Sequence, residues 1–257
     1  MSQLLKKMAW PMTTPKPYSF FHIAFSLTGI LLAAFAADHM AKKWKRNPSK
    51  AIRVMVLCGA VLAFGEICKQ LFLYVVVNHG HYDWWYFPFQ LCSTPMYLCL
   101  FLPIIKRYPS IRLTFCTYLQ DFCLLGGIMA LLEPSGLFHP YWVLTLHGLI
   151  WHIILIFLGL YSGLSGVCGY GKREYAKSLL LLGAFCLMAS GINIATKGQA
   201  DMFYISPYYP VTQIFFHQIS LSLGTPAGII IYLASICLGG FLIHISMDFY
   251  KSHGRKL

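Results

Sequence analysis

Charge is what this sequence has least of. Only 11% of its residues are charged, where a soluble domain carries about 25%. In a chain of 257 residues that deficit excludes a water-soluble globule. A cysteine framework is missing too. The nine cysteines (Cys58, Cys68, Cys92, Cys99, Cys116, Cys123, Cys168, Cys186 and Cys237) form no C-x-x-C pair, and none falls in a loop expected outside. Their spacing therefore specifies neither a disulfide scaffold nor a zinc site. No internal repeat and no separate soluble domain is visible.

Apolar residues are present instead, at 58% of the chain and in long blocks. A spanning helix needs roughly 20 consecutive apolar residues. Blocks bounded by proline, glycine and charge fall at Phe20–Ala41, Val54–Val77, Phe87–Ile105, Leu113–Leu132, Trp142–Leu160, Ala176–Ile194 and Leu221–Met247. Backbone polar groups in lipid must be satisfied within their own segment, so each block reads as a helix. The expected fold is an all-α bundle of about seven transmembrane helices, one domain covering residues 1–257, in a multi-pass protein of the cell membrane. The first block holds a cleavage-like Ala34-Phe35-Ala36, but it is too long for a signal peptide and a basic tract follows it.

The net charge of +12 belongs to the loops. Lys42, Lys43, Lys45, Arg46, Lys50 and Arg53 follow the first block; Lys106, Arg107 and Arg112 the third; Lys172, Arg173 and Lys177 the fifth; Lys251, Arg255 and Lys256 the seventh. The other side carries only Lys6, Lys7, Lys16 and Lys197. That alternation suits an odd number of spans with the N-terminus outside and the C-terminus in the cytoplasm. It also assigns the basic tracts to anionic lipid head groups rather than to nucleic acid, for which no free domain exists. The opposite loops are aromatic, and residues 197–216 are long enough to pack as a cap over that face.

Polar residues inside the blocks carry the functional information, because they are costly in lipid and face the bundle interior. At about 1.5 Å rise per residue, Cys92 and His147 share a shallow layer about 7.5 Å deep, with Gln90 and Asn193 nearer the surface. Glu66, Asp121 and His152 fall in a second layer about 15 Å deep. Lys69 and Gln70 lie at i,i+3 and i,i+4 from Glu66. One lysine against two carboxylates calls for a protonated acid or a protonated His152. Glu66–Lys69 reads either as a structural ion pair or as part of a transport path. His79 and His81 flank Gly80 in an aqueous turn, and their spacing with His147 carries no metal signature. Gly159 and Gly163 form a G-x-x-x-G suited to close helix contact, within the chain or between protomers, the first being favoured. Cys92 with His147 is the pair that carries chemistry: a thiol nucleophile and the base that activates it. Pro95 is expected to kink the third helix just after the cysteine, freeing backbone donors for an oxyanion. Ser93 and Thr94 are the alternative nucleophiles.

Phe87-Pro88-Phe89-Gln90-Leu91-Cys92 resembles the Leu-Pro-Leu-His-Leu-Cys signature of the YwaF-like bacterial integral membrane proteins. Gly126-Gly127-Ile128-Met129-Ala130-Leu131-Leu132-Glu133-Pro134, then Thr145-Leu146-His147, resembles that family's glycine-rich span, turn proline and helix-borne histidine, and Asn193 its last hairpin. The family is similar to a mammalian transmembrane acyltransferase that remodels ether phospholipids, and to membrane hydrolases with a Thr–His pair. The resemblance implies Cys92 as nucleophile and His147 as base. Gln90 departs from the pattern, standing where the signature has histidine; it donates hydrogen bonds but does not shuttle a proton at neutral pH. The expected function is acyl transfer or hydrolysis on a phospholipid or lysophospholipid through a Cys92 thioester, without cofactor or metal. Gln90, Asn193 and Ser93 would bind substrate or the oxyanion, and Glu66, Lys69, Asp121 and His152 would form the supporting polar core. The alternative is a proton-coupled transporter or channel built on that same midplane cluster.

Overall fold

The computed structural model describes residues 5, 7, 9–44 and 47–253. Five of the basic residues used above for topology (Lys6, Lys45, Arg46, Arg255 and Lys256) lie outside the described residues. Among the described residues the secondary structure is helical, with a single isolated bridge between Pro11 and Tyr141.

Six helices are long and apolar enough to cross a membrane: α1 (Phe20–Trp44), α2 (Pro48–Val77), α4 (Pro109–Leu132), α5 (Trp142–Leu164), α6 (Lys172–Ala195) and α8 (Thr225–His253). Two shorter helices complete the set, α3 (Thr94–Phe101) and α7 (Ile214–Leu223). Proline and asparagine chemistry sets several starts. Asn47 caps α2 by accepting the Lys50 N–H at 3.0 Å, and Pro48 occupies the first turn, where its missing N–H costs nothing. Pro109 opens α4 in the same way.

The third expected span, 87–105, takes a different form. Residues 87–93 are non-helical, α3 is 8 residues long, and a short 3₁₀ turn follows at Ile104–Arg107. Pro95 does not kink a helix here; it sits in the first turn of one. The three prolines of this block, at 88, 95 and 103, suit helix starts and stops better than a continuous, kinked helix. The last expected span also starts later than Leu221. Gly224, at φ 88°, separates α7 from α8 in a conformation that side chains rarely adopt.

The helices run up and down between two distinct ends. At one end Pro48, Pro109, Arg112 and Gly166 share a groove, and Lys251 donates to the Tyr170 hydroxyl, so the basic loops lie together. At the other, Trp85 packs on Tyr209 and Tyr86 on His139, while the Met12 N–H reaches the Pro140 carbonyl. The loops separated by charge in the sequence are therefore separated in space.

Helices α4 and α5 form the centre of the bundle. Their most apolar windows are 61% and 50% buried, against 28% in the other four long helices. They cross through reciprocal glycines. A Cβ on Gly159 would lie 2.9 Å from the Leu124 backbone, and one on Gly127 would lie 3.0 Å from the Ile156 nitrogen. The G-x-x-x-G thus serves a contact within the chain, as close approach of backbones is a main source of helix association in lipid. Gly159→Ala is expected to cost about 1–3 kcal/mol by overpacking this crossing. Gly183, whose Cβ would meet nothing within 4 Å, is the neutral control. Thermal unfolding of both variants in detergent checks this.

Candidate functional site: a polar cavity between the helices

The non-helical segment 87–93 is placed where the bundle leaves a cavity of about 560 Å³, walled by α2, α4, α5, α8 and the 197–213 loop. That volume lies within the ordinary range for small-molecule sites. Glu66, Lys69, Gln90, Cys92, Ser93, His147 and His152 all line it. Cys92 and His147 fall at equal depth by helical rise. The structure puts both on one cavity, although Cys92 reaches it from a turn rather than from a helix.

That turn needs outside support, because its backbone has no helical ladder. Side chains supply much of it. Gln70 Nε2 donates to the Tyr86 carbonyl at 2.6 Å, the Tyr97 hydroxyl to Pro88 at 2.7 Å, Thr94 Oγ1 to Leu91 at 2.9 Å, and Trp151 Nε1 to Cys92 at 3.0 Å. The Gln90 carbonyl accepts from the amides of Ser93 and Thr94. Thr94 is fully buried against the Tyr118 hydroxyl and does not line the cavity, which leaves Ser93 as the alternative hydroxyl. Trp151, which the sequence reading did not single out, joins both functional candidates. Its indole holds the cysteine's carbonyl, and its ring lies 5.3 Å from the His147 ring one turn earlier on α5.

His147 Nε2 is buried and has no hydrogen-bond partner among the described residues. The His152 Nδ1 lies 2.7 Å from the Gly148 carbonyl, an acceptor, so that nitrogen carries the proton. Glu66 is paired with Lys69 at 2.8 Å and accepts from Gln70 Nε2 at 2.8 Å. Lys69 and Glu66 thus place an ion pair on the cavity wall.

Asp121 is elsewhere. It was expected in one layer with Glu66 and His152, but it does not line the cavity. A π turn at Leu119–Cys123 carries it into a fully buried contact with α6 and α8. There it accepts from Ser178 Oγ at 2.8 Å and Gln120 Nε2 at 3.0 Å, and meets His244 Nδ1 at 3.0 Å. The partner sought for this second carboxylate is thus His244, distant in sequence, and not His152. The polar core divides into two clusters.

Gln90 and Asn193, expected at the substrate, are both engaged with backbone. Gln90 Nε2 donates to the Asp201 carbonyl and Gln90 Oε1 accepts from the Phe203 N–H, each at 2.7 Å. Asn193 does the same to Met202, with Nδ2 to the carbonyl at 3.0 Å and Oδ1 from the N–H at 2.7 Å. Asn193 is fully buried and off the cavity; Gln90 lines it. Between them they hold Phe203 and Tyr204 at φ 60° and 57°, where residues with a Cβ are strained. Asp201 completes the lock, accepting from Thr212 Oγ1 and the Ser206 N–H. Burial pushes its carboxyl upward and those two bonds pull it back. The 197–216 stretch is thereby a cap, with Tyr204 and Thr212 facing the cavity. A carboxamide fits this task where an imidazole does not, since the donor and acceptor must sit side by side. His79 and His81 are exposed in their turn and do not line the cavity. Among the described residues no group of three or more His, Cys, Asp or Glu could hold a metal ion.

Six membrane-length helices, four of which wall a capped chamber carrying polar side chains, define a multi-pass helical membrane protein. The chain belongs to the TMEM164 family, whose family model matches residues 14–245. No curated protein and no solved structure matches the chain.

Two outcomes follow from the cavity mouth. Gln90→Ala removes both bonds to the cap and is expected to destabilise it by about 1–3 kcal/mol, read as faster amide exchange at Phe203 and its neighbours. His139, at the mouth, is held below its ordinary value by burial and by the Lys69 charge. The folded protein therefore binds that proton less tightly than the unfolded chain does. The stability His139 supports is present above about pH 6.5 and lost as pH falls below it. In His139→Gln the drop in melting temperature between pH 7.5 and 5.5 should be smaller than in wild type, as checked by thermal scans at those two values.

Proposed function

We propose that this protein is an acyltransferase or hydrolase acting on the ester of a membrane phospholipid or lysophospholipid, with Cys92 as nucleophile and His147 as base. The observation that carries this reading is that Cys92 and His147, from different elements, line one cavity enclosed by membrane-length helices. The resemblance of residues 87–92 to the YwaF-like signature, and through it to an ether-phospholipid acyltransferase, supports the same pair. An enclosed site favours the neutral thiol. His147 therefore takes the Cys92 proton as sulfur attacks the ester carbonyl. The tetrahedral adduct collapses, the acyl carbon–oxygen bond breaks, and the leaving lysolipid oxygen receives that proton from His147. The Cys92 thioester then passes its acyl group to an acceptor hydroxyl or to water, whose proton returns through His147 to the sulfur. Gln90 has a second amide hydrogen beyond the one given to Asp201, and offers it with the Ser93 hydroxyl to the oxyanion. Asn193 holds the cap, while Lys69, Glu66 and His152 set the polarity of the chamber. The orientation proposed places the aromatic end outside and the basic end in the cytoplasm of the cell membrane, as the lysine and arginine distribution favours.

Transport through Glu66, Lys69, Asp121 and His152 is the weaker reading, since it needs one continuous path and Asp121 lies outside the cavity.

Intact mass of the protein in phospholipid nanodiscs tests the acyl reading, with wild type beside Cys92→Ser and His147→Ala. The expected result is a fatty-acyl adduct on wild type, removable by hydroxylamine, mapped to Cys92, absent in Cys92→Ser and reduced in His147→Ala. Failure of both phospholipid and an electrophilic lipid-ester analogue to label Cys92 would overturn it.

A further inference from the structure

The cavity has a wall that is incomplete in an informative place. On the side formed by α4 and α8 it is lined by Gly126, Met129, Tyr232, Ser235 and Ile236. Met129 is 39% exposed and Ser235 is exposed as well, so neither is covered by a neighbouring side chain. Uncovered residues on both helices of one wall leave that wall thin. Gly126 lines the same wall, and a Cβ there would meet nothing within 4 Å. Just beyond, the same two helices are closed: a Cβ on Gly239 would lie 2.8 Å from the Leu125 side chain, and one on Gly240 would lie 2.5 Å from the Phe122 ring. The gap is therefore local and not a general separation of α4 from α8.

Its depth identifies what faces it. Gly126 is six residues from the end of α4 at Leu132, and Ser235 ten residues from the start of α8 at Thr225. At about 1.5 Å per residue these positions lie about 9 and 15 Å from the aromatic end, within a hydrocarbon core about 30 Å thick. Water and soluble molecules are scarce at that depth; lipid tails are not. Helix α7 borders the same region, with Phe216 packed on Tyr232 at 5.1 Å and with Ile214, Phe215 and Leu221 exposed as apolar surface.

We infer that the cleft between α4 and α8 at Gly126 and Ser235 is a lateral portal, through which an acyl chain of a bilayer phospholipid enters the cavity from within the membrane. The inference rests on the reading of the cavity as a lipid-ester site. It adds the route and the part of the substrate recognised: the chain slides in sideways, while the ester stays toward the aromatic end where Cys92 and His147 are. Glycine at 126 keeps the doorway open, and a larger side chain there fills it without meeting backbone.

The test uses the full-length protein in nanodiscs doped with a phosphatidylcholine whose acyl chain ends in a diazirine. Wild type, Gly126→Leu, Ser235→Phe and Gly183→Leu are irradiated, and adducts are mapped by peptide mass. Gly183 on α6 is the control, because its Cβ position is also open but it does not line the cavity. Expected are adducts on the Trp151 peptide in wild type and Gly183→Leu, and loss of those adducts in Gly126→Leu and Ser235→Phe. The two blocking variants come from opposite walls, so either alone decides if the other does not fold. Trp151 adducts that persist in a folded blocking variant overturn the portal and leave the lipid cavity standing. Surface adducts without any on Trp151 in wild type overturn the lipid cavity itself, and the portal with it.

Discussion

The structure depends on one obligation: in a bilayer every backbone N–H and C=O must find a partner inside the protein. Seven helical blocks would meet it automatically. Here one segment, residues 87–93, leaves the helix, and the carbonyls of Tyr86, Pro88, Leu91 and Cys92 are each taken by a side chain. Four donors from three elements (Gln70, Thr94, Tyr97 and Trp151) are therefore fixed in position by the need to satisfy one irregular turn. That same turn brings Cys92 to the cavity. The cost of leaving the helix and the placement of the thiol are aspects of one local structure.

The consequence spreads outward. Trp151 must sit on α5 opposite Cys92, and His147 one turn before it, so the helix that supports the turn also carries the proposed base. Helix α5 can approach α4 closely because Gly127 and Gly159 remove side chains from the crossing. Gln90, at the centre of the turn, reaches the other way and holds the cap at Asp201 and Phe203. Crossing, turn, chamber and cap form a connected set.

Much of the fold was legible in the sequence because lipid imposes a coarse rule. Long apolar blocks gave six helices, and the lysines and arginines sorted the loops to two ends that the structure separates. The third block was not legible by the same rule: its composition is apolar, but Pro88, Pro95 and Pro103 decide its form. The Glu66–Lys69 pair was readable, since both lie on one helix at i,i+3. Asp121 with His244, and Gln90 with Asp201, were not. Those pairs join residues 123 and 111 positions apart, and no periodicity within a helix encodes which other helix it will meet. Depth counting put Cys92 and His147 in one shallow layer, and both line one cavity even though Cys92 is not helical, because each lies near the start of an element at the same end.

The fastening of the cap has a physical consequence beyond its geometry. Gln90 and Asn193 grip peptide groups with carboxamides, which carry no net charge in either the closed or the released state. A transmembrane voltage performs work in proportion to the charge moved, about 2.3 kcal/mol per elementary charge per 100 mV. Neither these two clasps nor the peptides they hold present any such charge. The two carboxamide clasps are in this respect electrically silent, and such charge as the cap carries lies instead in Lys197 and Asp201.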